Sequence, residues 1–172
     1  PNLKGENEAS WEVGLDQPFE ILGGPANVSA TYFDARTKGL IGNRVDGGFL
    51  RPFNVARAER DGIELAASWR FLPRWTLSGE WTWLETEVTD AGNIGSTLFQ
   101  RGRRLLRQPR HAGAATLAYD GGRVRGRVNV NAVDHTDVGD FSGFDNGTFT
   151  ILRVRNGGWT KWDAALEWDA TR

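Results

Sequence analysis

The 172 residues carry 21 basic and 22 acidic side chains, a net charge of −1, no Cys and no Met. A global positive field for nucleic acid, a disulfide framework and a thiolate metal site are therefore excluded. With 39% apolar residues and a mean hydropathy of −0.48, the chain has no run of about 18 apolar residues that could cross a membrane as a helix.

A membrane barrel stays open, because alternating strands average out to polar in any hydropathy window. Met is missing at position 1 and no charged-apolar-small leader opens the chain, so we expect an excised piece of a longer protein.

In chain order, Ser10 to Asp16 alternates, with Trp11, Val13 and Leu15 against Glu12, Gly14 and Asp16. Pro18 to Pro25 reads as a turn. Ala26 to Ala35 is the next strand, blurred at its upper end by Phe33, and Gly39 to Asn54 reads as a long loop. Gly62 to Glu87 is the organising stretch: two alternating runs joined by a tight turn at Leu72-Pro73-Arg74. Such runs are about ten residues long, and tilted by about 40° each spans roughly 25 Å, the apolar height of an outer-membrane barrel wall.

Thr89 to Arg104 reads as a second long loop, Leu105 to Tyr119 as a strand and Asp120-Gly121-Gly122 as a short turn. Arg123 to Asn131 is the cleanest alternation, followed by a third long loop, Val138 to Gly158, and a last strand, Trp159 to Asp169. The expected fold is therefore all-β: an antiparallel up-and-down meander of about seven long strands, with short and long connections alternating. That asymmetry suits part of a large transmembrane β-barrel.

One face of these strands is aliphatic and aromatic, the other charged. A soluble sandwich, with core inside and water outside, and a membrane barrel, with lipid outside and a wet lumen, both produce this alternation. The barrel reading makes Glu64, Ser68, Glu80, Arg123, Arg125, Arg127, Asn129 and Asn131 lumen-facing. It makes Trp69, Trp75, Tyr119 and Trp168 at the turn ends, and Trp11, Trp83 and Trp159 towards the loop ends, two membrane-interface girdles.

Several stretches resemble the TonB-dependent outer-membrane receptor family. Pro1-Asn2-Leu3-Lys4 with Glu6 is similar to the Asn-Pro-x-Leu-Lys-Pro-Glu stretch that precedes a barrel strand, with Gly5 where that pattern has Pro. Ser10 to Leu15 is similar to the strand that follows it, and Asp61-Gly62-Ile63-Glu64 resembles the family's Gly-(Val/Ile)-Glu strand entry. Arg107-Gln108-Pro109-Arg110-His111 resembles its Arg-x-Pro-x-His segment.

The resemblance implies a partial barrel over residues 1–172, from its C-terminal third, without the plug domain or the terminal strands. It implies import of a scarce solute such as a ferric siderophore across the outer membrane of a Gram-negative bacterium. The implied partners are outer-membrane lipid, the plug domain and the energy-coupling TonB protein.

No catalytic constellation is visible: there is no nucleophile elbow and no phosphate loop with Lys. No enzymatic activity, cofactor, metal or nucleic-acid partner is expected. His111 reads as a structural residue at a strand entry, and Asp134, His135 and Asp137 as a solvated strand end. Arg101, Arg103, Arg104 and Arg107 form a basic cluster at the end of a long loop, the candidate site for an anionic small-molecule substrate at the barrel mouth. The alternatives are a soluble β-sandwich binding sugars through exposed Trp, and a passive porin-type barrel.

Overall fold

The computed structural model describes residues 3–46, 49–92, 98–145 and 148–170. Pro1, Asn2 and Arg172, which enter the family resemblance and the expectation of missing strands, lie outside the described residues, as does part of the second long loop.

Seven strands form one antiparallel sheet. They are β1 (Asn7–Ile21), β2 (Gly24–Asp46), β3 (Phe49–Leu72), β4 (Trp75–Asp90), β5 (His111–Asp120), β6 (Val124–Val133) and β9 (Trp159–Trp168), in the order β1-β2-β3-β4-β5-β6-β9. A two-stranded sheet, β7 (Thr136–Asp145) and β8 (Thr148–Asn156), is inserted between β6 and β9. The meander is the expected one. Two expected loops are strand instead: Gly39 to Asn54 continues β2 and β3 up to the pair Asp46–Phe49, and Val138 to Gly158 holds most of the β7–β8 hairpin. The strand expected from Leu105 begins at His111.

The short turns set the register. Leu22 and Gly23 both take positive φ, 49° and 75°, the pattern of a turn whose twist matches the flanking strands. Pro73 cannot adopt positive φ. The turn it shares with Arg74 is accompanied by a one-residue register shift between Trp69 and Leu72, a bulge that absorbs the mismatch.

Pairing lines residues up in rows across six strands. Asn27, Ser68, Ser78, Thr116, Asn129 and Asp163 stand opposite one another. The next row is Val28, Ala67, Gly79, Ala115, Val130 and Trp162, and the one after it is Ser29, Ala66, Glu80, Ala114, Asn131 and Lys161. Since Cβ atoms alternate, successive rows belong to opposite faces, one apolar and one polar. The apolar face is uncovered: Trp162, Leu166 and Trp168 are 69%, 78% and 72% exposed. Among the described residues no second sheet stacks on it, so the sandwich alternative does not describe this chain.

The apolar face has two ends. Tyr32, Ile63 and Trp83 share its last apolar row, and the next row on that face is Trp11, Asp34, Asp61 and Glu85. From Phe71 to Ile63 this face rises roughly 27 Å along β3, or about 20 Å at a tilt of about 40°, approaching the roughly 25 Å of a bilayer's apolar band. At this upper end Phe33 sits on the polar face, above Gly62. An added Cβ at Gly62 would lie 2.6 Å from the Phe33 ring and 2.4 Å from the Trp83 carbonyl oxygen, so the glycine is what lets the ring close down on the sheet.

Beyond that level the molecule buries a core. Phe53, Val55, Ala58, Val88 and Leu105 cluster, with Leu40, Ala91 and Phe99 packed against them. Phe99 meets Phe53 edge-on, ring centroids 5.8 Å apart. The segment after β4 folds back on it: Val88 and Gly102 donate backbone N–H groups to Arg103 and Val88 carbonyls, and Leu105 donates to the Thr86 hydroxyl.

Candidate functional site

The polar face carries the residues expected to line a lumen. Glu64, Ser68 and Glu80 share it with Arg125, Arg127, Asn129 and Asn131, because the register pairs Ser68 with Ser78 and, through β5, Thr116 with Asn129. Arg123 precedes β6, and its carbonyl accepts the Asp169 N–H. Several of these groups are satisfied within the sheet. The Thr116 hydroxyl donates to Asn129 at 2.9 Å, and Arg125 reaches Glu167 at 3.0 Å and Asp169 at 3.4 Å. Glu64, Glu80 and Arg127 are exposed and make no ion pair among the described residues.

Aromatic rings gather at both ends of the apolar face. At the short-turn end Trp69, Phe71, Trp75 and Tyr119 form a chain with centroid spacings of 5.2, 6.3 and 4.8 Å. Trp69 also donates its indole N–H to the Ile21 carbonyl. At the other end Trp11 contacts Tyr32 at 5.4 Å, and His111 stacks on Trp81 at 5.6 Å with planes 19° apart. Trp168 lies on the apolar face and Trp83 closes its upper edge. Trp159 is the exception. Its register partner is Val133, so it shares a face with Lys161 and Asp163 rather than with Trp162; one residue of offset puts a strand's first side chain on the other side.

The four arginines of the basic cluster separate by role. The Arg104 guanidinium bonds Glu85 at 2.5 Å and the Leu84 carbonyl at 2.8 Å, tying the loop to β4. Arg101, Arg103 and Arg107 are exposed. Arg107 takes a positive φ of 59°, and its N–H donates to the Asp137 carbonyl.

Sequence reasoning missed Arg153. Its guanidinium donates to Asp137 at 2.8 and 2.7 Å and to the carbonyls of Leu98 and Arg104 at 2.9 and 2.7 Å. This one side chain pins the β7–β8 hairpin onto the loop that carries the basic cluster. It also holds the Asp137 carboxyl below its ordinary range, chiefly through that hydrogen bond, against the opposing effect of desolvation. The signal was available: Asn146-Gly147 is the strongest short hairpin-turn dipeptide.

An antiparallel meander with one uncovered apolar face, one polar face, and aromatic rings at both margins defines a section of a transmembrane β-barrel wall. The model of the TonB dependent receptor-like β-barrel family matches residues 1–172, and the chain belongs to that family. Among solved structures it is similar to the ferric yersiniabactin uptake receptor FyuA from Yersinia pestis, at 23% identity and a TM-score of 0.63, over 95% of this chain and 23% of that one. The copper transporter OprC matches at 15% identity and a TM-score of 0.70, over 99% of this chain and 24% of that one. The siderophore receptor PiuA from Acinetobacter baumannii matches at 17% identity and a TM-score of 0.64, over 96% of this chain and 22% of that one. The chain thus spans about a quarter of the length of the structures it matches. No curated protein matches it.

Proposed function

We propose that residues 1–172 are a wall segment of a TonB-dependent receptor in the outer membrane of a Gram-negative bacterium, importing a scarce solute such as a ferric siderophore. The plug domain and the terminal strands lie elsewhere in the parent protein, which engages the energy-coupling TonB protein. The segment has no enzymatic activity and its work is physical. Strand pairing satisfies the backbone donors and acceptors that would otherwise be stranded in hydrocarbon. The apolar rows face lipid, and Trp11, Trp69, Trp75, Trp83, Tyr119 and Trp168 mark the two interfaces.

The observation that carries this reading is the row-by-row segregation of the two faces over the height of a bilayer. The polar rows, with Glu64, Ser68, Glu80, Arg125, Arg127, Asn129 and Asn131, line the lumen and meet the plug, and Arg123 lies at their short-turn margin. At the mouth, Arg101, Arg103 and Arg107 attract an anionic solute, while Arg104 keeps the loop in place. The test is R101E/R103E in the parent receptor, followed by binding of a radiolabelled ferric siderophore to iron-starved cells at low ionic strength. Reversal should slow association about tenfold; unchanged binding removes the arginines from the site.

A further inference from the structure

At the short-turn end of the polar face, a hollow of about 320 Å³ opens toward the lumen. Its floor is low because the register lines up Thr76, Ala118 and Ala165 with Arg127 in one row. The next row on that face, Asp120, Arg125 and Glu167, closes it toward the turns. Arg74 stands at the rim, its carbonyl accepting the Asp120 N–H at 2.8 Å. Strand alternation puts these side chains on the lumen side, away from the Trp75–Tyr119 pair behind the sheet.

Three guanidinium groups border the hollow, and the carboxylates beside them are already engaged. Arg125 takes Glu167 at 3.0 Å and Asp169 at 3.4 Å. Asp120 accepts the Gly122 N–H at 3.0 Å, within its own turn. Arg74 and Arg127 are exposed and make no ion pair among the described residues. The strands that carry them, β4 and β6, lie about 10 Å apart with β5 between. A planar guanidinium fork takes one carboxylate in two parallel hydrogen bonds, so filling both forks requires two carboxylates in one small body.

β5 links this hollow to the mouth. It begins at His111, just beyond Arg107 of the basic cluster, and presents Ala112, Ala114 and Thr116 to the lumen before Ala118. The run from His111 to Ala118 is roughly 23 Å along the strand. Guanidinium charge thus stands at both ends of the same strand's inner side. We propose that the hollow is a second anion site of the barrel, an exit station for a small solute bearing two or more carboxylates, one held by Arg74 and another by Arg127. This rests on the proposed import of an anionic solute. Passage through a pore needs sites that are several and weak, so that the solute leaves as readily as it enters.

The experiment uses the parent receptor purified in detergent, with both ends of the barrel open to solution and citrate as the probe. Isothermal calorimetry at low ionic strength follows binding to wild type, R74Q/R127Q, A118F and R101E/R103E. A118F fills the floor and leaves every guanidinium in place. Protease digestion of each protein reports how firmly the plug is seated.

Wild type should show two binding events. R74Q/R127Q should weaken one of them about tenfold, A118F should weaken the same one several-fold, and R101E/R103E should weaken only the other. A single event, lost in R101E/R103E and untouched by R74Q/R127Q and A118F, overturns the exit station and keeps the mouth. Faster plug digestion in R74Q/R127Q with citrate binding unchanged overturns it too, and gives Arg74 and Arg127 to a carboxylate of the plug. Absence of citrate binding in all four proteins overturns the anionic-solute reading and the station with it.

Discussion

The lower wall and the upper superstructure of this chain solve opposite problems. Between the two aromatic margins, β5, β6 and β9 are 10-residue strands with exposed apolar side chains and no core of their own. Above them β2 and β3 run on to 23 and 24 residues, and there Phe53, Val55, Ala58, Val88 and Leu105 are buried. The difference teaches where each solvent lies. In lipid, apolar side chains gain nothing by turning inward, and backbone pairing is what holds the wall. With water on both sides, the same polypeptide has to remove its aliphatic groups from solvent, so a core reappears.

Substitutions can break that contrast. The largest effect should come from charge on the apolar face. Val128→Arg should destabilise the receptor by about 2–4 kcal/mol, whereas Asn129→Arg, one residue along on the polar face, should cost under about 0.5 kcal/mol. Urea unfolding in lipid vesicles reads both, and equal costs would erase the two-face assignment. Next, Arg153→Ala leaves the Asp137 carboxylate and the Leu98 and Arg104 carbonyls without their donor, a local loss of about 2–3 kcal/mol. Amide exchange should speed up in β7 and β8 and stay unchanged in β5 and β6.

A cavity separates the regions more finely. Val55 is 0% exposed, so Val55→Ala should cost about 2 kcal/mol. Leu166→Ala should cost less than about 1 kcal/mol, because lipid chains fill the space it vacates. The smallest effect is on pH. Arg153 lowers the folded Asp137 pKa below its ordinary 3.8. The stabilisation it gives is therefore complete above that unfolded value and is lost as pH falls through the lower folded one. Exchange protection of β7 and β8 should stay flat from about pH 7 to 5 and drop below about pH 4.

The contrast also explains what could be read in advance. Strands between lipid and a wet lumen must alternate strictly, so Arg123 to Asn131 and Gly62 to Glu87 declared themselves, and the meander with them. Even Phe33, which breaks the pattern, does so for a local reason, the bare backbone of Gly62 beneath it. Above the band that constraint is gone. Leu40, Phe53 and Val55 are strand residues packed into a small core, and the Gly and Pro around them suggested a loop. The basic cluster was legible as charge but not as geometry, because its fixed member, Arg104, is tied by Glu85, 19 residues earlier, and its clasp, Arg153, comes 49 residues later. Pairings that distant leave no mark on local pattern.

The tight turns at Leu22-Gly23, Pro73-Arg74 and Gly121-Gly122 align the β1–β2, β3–β4 and β5–β6 hairpins from one margin. A strand anchored in that way is a ruler with its zero on the short-turn rim, and length added at the far end moves no mark already cut. The tips at that far end can therefore grow, shrink or be replaced while the palisade beneath keeps its spacing.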